Sequence, residues 1–215
     1  MKIREHIQKY SGNFEKVSTE YYDLLEQVEY SEDLSIEELT NIENGLKQII
    51  ALEPDYLDPY LLLYKVNMFE GKLLDADQIL DNAYQKSLHL IIDAKGHWPD
   101  LMEWGWQENR PIIRTLMQKA ENLWIDALEV PGLEEEAQEI YGHLLRVNPG
   151  DNTAARYPLL ALLKGMDYGE YESGFLVRDE EMGLVFSEDC ETWFAKESKK
   201  YPEFAAWRTY MKQIS

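Results

Sequence analysis

Residues 131–149, PGLEEEAQEIYGHLLRVNP, constrain the fold most, because they read as the returning helix of a helical hairpin. Gly132 closes a turn, Ala137 is a small residue where two helices approach closely, and Tyr141, Leu144 and Leu145 continue an apolar stripe. Pro149 then stops the helix. Residues 71–84, GKLLDADQILDNAY, repeat the arrangement with Gly71, Ala76, Leu80 and Ala83. A single hairpin cannot bury its own apolar face, whereas stacked neighbours share a continuous core. The pattern predicts an all-α fold of antiparallel helix pairs, and a binding scaffold in preference to a catalyst.

The 215 residues, 45% of them hydrophobic and 12% aromatic, suffice for a substantial core and argue against wholesale disorder. The one cysteine, Cys190, cannot close an internal disulfide, which suits a reducing compartment. The opening MKIREHIQKY lacks the apolar core of a secretory signal, and no segment approaches the ~18 apolar residues of a membrane span. The expectation is a soluble, cytoplasmic protein with no membrane partner.

Lys and Arg number 21 against 41 Asp and Glu, a net charge of −20. Residues 11–58 carry 13 acids against Lys16 and Lys47, and residues 168–191 carry eight against Arg178. A phosphate backbone meets net repulsion along most of such a chain, which argues against a nucleic-acid partner. The plain reading is a solvated acidic surface; an acidic decoy for a basic nucleic-acid-binding protein, centred on residues 11–58, stays open.

Three segments are expected: an N-terminal helical segment (1–34), repeat-like hairpins (35–168), and an acidic connection with a helical cap (169–215). In the first, Tyr10, Phe14, Val17, Tyr21, Leu24, Leu25 and Val28 fall at helical spacing, and Gly12-Asn13 separates a short leading helix from a longer one. Ser35 with Glu38 is a capping-box pair opening the helix of Leu39, Ile42, Leu46, Ile49 and Ile50, which stops at Pro54. Asp58-Pro59 opens the next helix and Gly71 turns the chain.

A Trp-rich insertion at about 85–110 follows, with Trp98, Trp104 and Trp106 among Gly and Pro breakers. Asn109 caps a helix in which Leu116, Ala120, Leu123 and Trp124 lie on the buried stripe. After Asp151-Asn152 another helix is predicted, kinked at Pro158 and ending at Gly165. Residues 174–186 read as a loop or a short hairpin, and the tail with Trp193, Phe194, Phe204, Trp207 and Tyr210 as a helical cap.

On these residues the chain resembles the tetratricopeptide-repeat superfamily over about 35–168, as an α-solenoid. The segments ENRPIIRTLMQKAENLW and LLRVNPGDNTAARY are similar to a bacterial subgroup with an ENRP helix start and an NP-DN-R junction. The resemblance implies protein or peptide binding in a groove lined by the first helix of each pair. That groove takes Asp58, Leu61, Lys65 and Met68, then Arg114, Met117, Glu121 and Trp124, then Thr153, Arg156 and Leu160. The chaperone-type carboxylate clamp is absent as a set, since its first two positions are Leu61 and Lys65. Lys65, Arg114 and Arg156 nonetheless place three cations in the groove of an acidic protein, which suits a partner with an acidic group. The competing reading is intramolecular pairing with Glu121 or Asp58.

No catalytic set, metal or cofactor is expected. His6, His89, His97 and His143 are scattered, Glu139 and His143 are only two ligands, and neither a phosphate-cradling glycine loop nor a nucleophile elbow occurs. Acidic neighbours of Cys190 should raise its pKa. The remaining alternative is a small-ligand-binding protein or enzyme using loop 96–110, where Trp98, Trp104 and Trp106 flanked by Asp100, Glu103 and Glu108 could take a cation, a sugar or an apolar peptide. Equally, the three rings could fill space between repeats.

Overall fold

The computed structural model describes residues 12–31, 33–179 and 183–214. Among them lie ten α-helices and one two-stranded antiparallel ladder, an essentially all-α protein. The chain divides into two units. One takes the described residues up to His97 together with Trp106–Thr115; the other takes Trp98–Gly105 and the described residues from Leu116 onward.

The first unit contains α1 (Phe14–Tyr30), α2 (Ile36–Leu52), α3 (Asp58–Phe69) and α4 (Leu73–Ile91), each packed on the next. The leading helix expected before Gly12, with Tyr10, lies outside the described residues. Ser35 and Glu38 form the capping box in full: the serine hydroxyl accepts from the Glu38 amide at 3.2 Å, and the Glu38 carboxylate accepts from the Ser35 amide at 2.8 Å. Val17, Tyr21, Leu39, Ile42, Leu46, Ile49, Leu62, Leu63 and Val66 make one continuous core. Ile42 is buried there, where a repeat of this kind would hold a small residue. The close approach of α1 and α2 occurs instead at Gly45, where an added Cβ would sit 2.9 Å from Leu24.

The α3–α4 turn closes as a Schellman motif. Lys72 N–H donates to the Asn67 carbonyl and Gly71 N–H to that of Met68, with Gly71 at φ +73°. Ala76, Leu80 and Ala83 are buried along α4, so the small residues do lie on its packed side.

α5 (Asn109–Asp126) passes from the first unit to the second, which also holds α6 (Leu133–Val147), α7 (Arg156–Leu163) and α8 (Tyr168–Phe175). Beyond them come β1 (Leu176–Asp179), β2 (Gly183–Phe186), α9 (Glu188–Glu197) and α10 (Ala205–Ile214). Of the two readings of this stretch, the short antiparallel pairing holds for β1 and β2, with Val177 opposite Val185. α6 packs on α7 and on α10, and α7 on α9. Gly165 (φ +73°) repeats the Schellman closure after α7, through Met166 N–H to Ala161 O and Gly165 N–H to Leu162 O. Asp167 and Glu170 then form a second capping box for α8.

The expected kink at Pro158 does not arise. Asp151 and Ala154 adopt left-handed backbone (φ 49° and 58°), so the chain is still turning at Thr153 and α7 begins only at Arg156. Pro158 consequently falls in the first turn, where no intrahelical amide is missed. Phe194 meets Phe204 and Trp207 edge to face, with ring centroids 5.2 and 5.3 Å apart, which fastens α10 to α9.

Candidate functional site

On α3 the residues Leu61, Lys65 and Met68 follow one another at successive turns. Leu61 is half-buried against Tyr64, Ala76 and Leu80, while Lys65 and Met68 are exposed. The other side of the same helix, with Leu62, Leu63 and Val66, is core. Exposed apolar chain continues beyond Met68 through Phe69 (75% exposed) and, past the turn, Leu73 and Leu74 (55% and 84%).

Arg114 is committed within the same unit. Its Nε and Nη2 donate to Asp58 Oδ1 at 3.0 and 2.7 Å, and Nη2 also to Oδ2 at 2.6 Å. Asp58 is buried, and burial raises its carboxyl above the ordinary range against the opposing pull of Arg114.

In the second unit Met117 is half-buried, Leu160 is core and Thr153 lies in the turn before α7. Trp124 is only 2% exposed, so its ring serves as core more than as groove wall. Its indole N–H donates to the Met166 carbonyl at 3.2 Å, and it meets Tyr168 edge to face at 5.5 Å. Glu121 accepts from the Tyr168 hydroxyl at 2.8 Å.

Arg156 is also engaged: Nη1 donates to Asp151 at 2.7 Å, Nη2 to Glu191 at 2.9 Å, and the guanidinium lies 4.0 Å from the centre of the Tyr157 ring. The Tyr157 hydroxyl donates to Glu191 as well. This cluster ties α7 to α9. Of the three cations expected to share a groove, Arg114 and Arg156 are therefore paired internally, Arg114 with Asp58.

Burial pushes the Asp151 carboxyl up to about 6, with Arg156 opposing. Against its ordinary value of 3.8, the folded state binds more protons between the two values. The stabilising contribution of this group is thus complete below 3.8 and lost as pH rises through about 6. The unfolding free energy of wild type minus that of Asp151→Asn is expected to be larger near the lower value than at neutrality, by urea denaturation at both. A pH-independent difference would contradict a buried, titrating Asp151.

The tryptophans of the insertion separate: Trp98 and Trp104 belong to the second unit, Trp106 to the first. Trp98 stacks on the His143 imidazole, with centroids 4.3 Å apart and planes 1° from parallel. Burial lowers the His143 pKa, and neighbouring Arg146, which donates to its Nδ1, lowers it further. Beside this pair, α6, α10 and residues 100–103 border a cavity of about 600 Å³. Cys190 is buried, and burial foremost, with Glu191 adding to it, raises its thiol to about 11, so it is no ready nucleophile.

Two features escaped the sequence reading. The Asp167–Glu170 capping box had its signal in the D-x-x-E spacing. The cavity had none, because α6 and α10 lie some 60 residues apart in sequence.

No protein-family model, curated protein or solved structure matches this chain. Among the described residues, no group of three or more His, Cys, Asp or Glu side chains is placed to hold a metal ion. No described helix is long and apolar enough to cross a membrane.

Proposed function

We propose that this protein is a non-enzymatic adaptor, a short tetratricopeptide-like α-solenoid that binds a protein or peptide segment on the α3 face. The supporting observation is that face itself. Leu61, Lys65 and Met68 present a half-buried aliphatic wall, an exposed cation and an adaptable thioether on successive turns, while the opposite side of the helix is locked in the core. Helix faces of this kind take amphipathic or extended segments through anchors at matching spacing. Exposed Phe69, Leu73 and Leu74 enlarge the apolar area beyond what scattered surface residues provide. With Arg114 and Arg156 paired internally, Lys65 is the groove cation that carries the preference for an acidic group, and the partner is a peptide with one acid flanked by apolar residues.

Peptides selected from a random displayed library against the intact protein are expected to carry an acid beside apolar residues. Lys65→Glu and Met68→Asp are each expected to weaken them by about tenfold or more in calorimetric titration. Peptides that bind both variants as tightly as wild type would leave the α3 face without a role.

A further inference from the structure

Residues 98–105 form a strap along α6, fastened at two places. Trp98 stacks on His143 with ring centroids 4.3 Å apart and planes 1° from parallel. Further along both segments the Met102 N–H donates to the Val147 carbonyl at 2.6 Å, and the Met102 side chain is fully buried. His143 and Val147 are one turn apart on a single face of α6, so both fastenings follow that face. Asp100, Leu101 and Glu103 of the strap border the cavity of about 600 Å³ that α6 and α10 also line, which makes the strap one of its walls. The Met102 fastening holds no titratable group, whereas the Trp98 fastening rests on an imidazole.

Arg146, one turn along α6, donates from Nη2 to Nδ1 of His143. A ring nitrogen that accepts carries no proton, so this contact belongs to the neutral imidazole protonated at Nε2. A proton added at Nδ1 turns the acceptor into a donor facing a donor and sets two cations side by side, so the imidazolium cannot keep Arg146 in place. The other charged or titratable groups bordering the ring's side of the cavity are Glu139 on α6, Asp100 and Glu103 on the strap, and Glu203 and Tyr210 from the C-terminal segment. Asp100 and Glu103 each have interactions of their own. Burial and Arg146 outweigh Glu139 and hold the His143 pKa below its ordinary 6.5.

We propose that the Trp98–His143 stack is a pH-operated clasp, closed on the neutral imidazole, whose release by acid frees the Trp98 end of the strap and opens that wall of the cavity while Met102 stays anchored. The folded state binds fewer protons here than the unfolded chain, so the clasp is complete above 6.5 and lost as pH falls through the lower folded value.

The test follows the full chain, labelled with fluorotryptophan, by fluorine NMR from about pH 8 to about pH 5, with the His143 imidazole titrated in parallel. Trp98→Phe assigns the Trp98 signal. That signal is expected to shift with the midpoint of His143, below 6.5. At the acid end it should become accessible to a soluble paramagnetic agent, with helicity by circular dichroism unchanged. His143→Phe keeps an aromatic ring against Trp98 without the proton and should abolish the titration. Arg146→Gln removes the neighbouring cation and should raise the midpoint. The proposal is overturned if Trp98 stays unmoved or inaccessible, if either variant titrates as wild type, or if Trp98 is released only with loss of helicity. A midpoint at or above 6.5, as a stack tightened by the imidazolium would require, overturns it equally. Should a variant fail to fold, the wild-type midpoint and accessibility still decide. None of these outcomes bears on Lys65 or Met68, so the clasp and the α3 reading fail independently.

Discussion

Trp124→Ala is expected to lower the unfolding free energy of the second unit by about 3–5 kcal/mol, the range for deleting a large buried aromatic side chain. The ring is 2% exposed, packs on Tyr168 and Tyr171, and spends its N–H on the Met166 carbonyl at 3.2 Å. Alanine removes all of these contacts and leaves a void where the ring packs on α8. Trp124→Phe keeps most of the ring and loses the hydrogen bond, so it should cost about 1–2 kcal/mol less than the alanine variant. Urea denaturation followed by circular dichroism measures both. An alanine variant within about 0.5 kcal/mol of wild type, the spread of ordinary surface changes, would contradict a core role.

The second large effect is at Arg114. Its guanidinium satisfies both oxygens of Asp58, whose side chain is 9% exposed. Arg114→Ala leaves that carboxyl buried without its cation. Losing one partner of a buried pair costs about 3–5 kcal/mol. Arg114 itself is 41% exposed, so water partly replaces it and the low end of that range is expected. Adding Asp58→Asn removes the stranded charge and should recover a large part of the loss, giving a coupling of about 1–3 kcal/mol in the double-mutant cycle. Additive single effects would mean that the pair contributes nothing to the fold.

These two residues show where the sequence was informative and where it was not. Helices and turns were legible because their signals are local. Ser35 and Glu38 are three residues apart, Pro59 sits in a first turn, and Gly71 and Gly132 occupy left-handed positions that only glycine takes without strain. Ala76, Ala83, Ala120 and Ala137 are all buried, because helical periodicity alone assigns a residue to the packed face.

The fate of Arg114 depended on Asp58, 56 residues away, and Arg156 adds Glu191, 35 residues away, to its near partner Asp151; no periodicity reports the distant pairings. Pro158 misled because Asp151 and Ala154 take left-handed backbone, a choice that aspartate favours but alanine does not advertise. Trp124 carried two expectations at once, buried stripe and groove wall, and its burial favours the first.

The most direct measurement of the α3 reading is a methyl NMR titration of methionine-labelled protein with a selected acid-containing peptide. Met68 is the methionine on α3, and substitution of each methionine by leucine assigns the signals. The Met68 methyl resonance is expected to move saturably with peptide, and Lys65→Glu should suppress the movement. Saturable shifts at other methionines with Met68 unmoved would contradict peptide binding on α3.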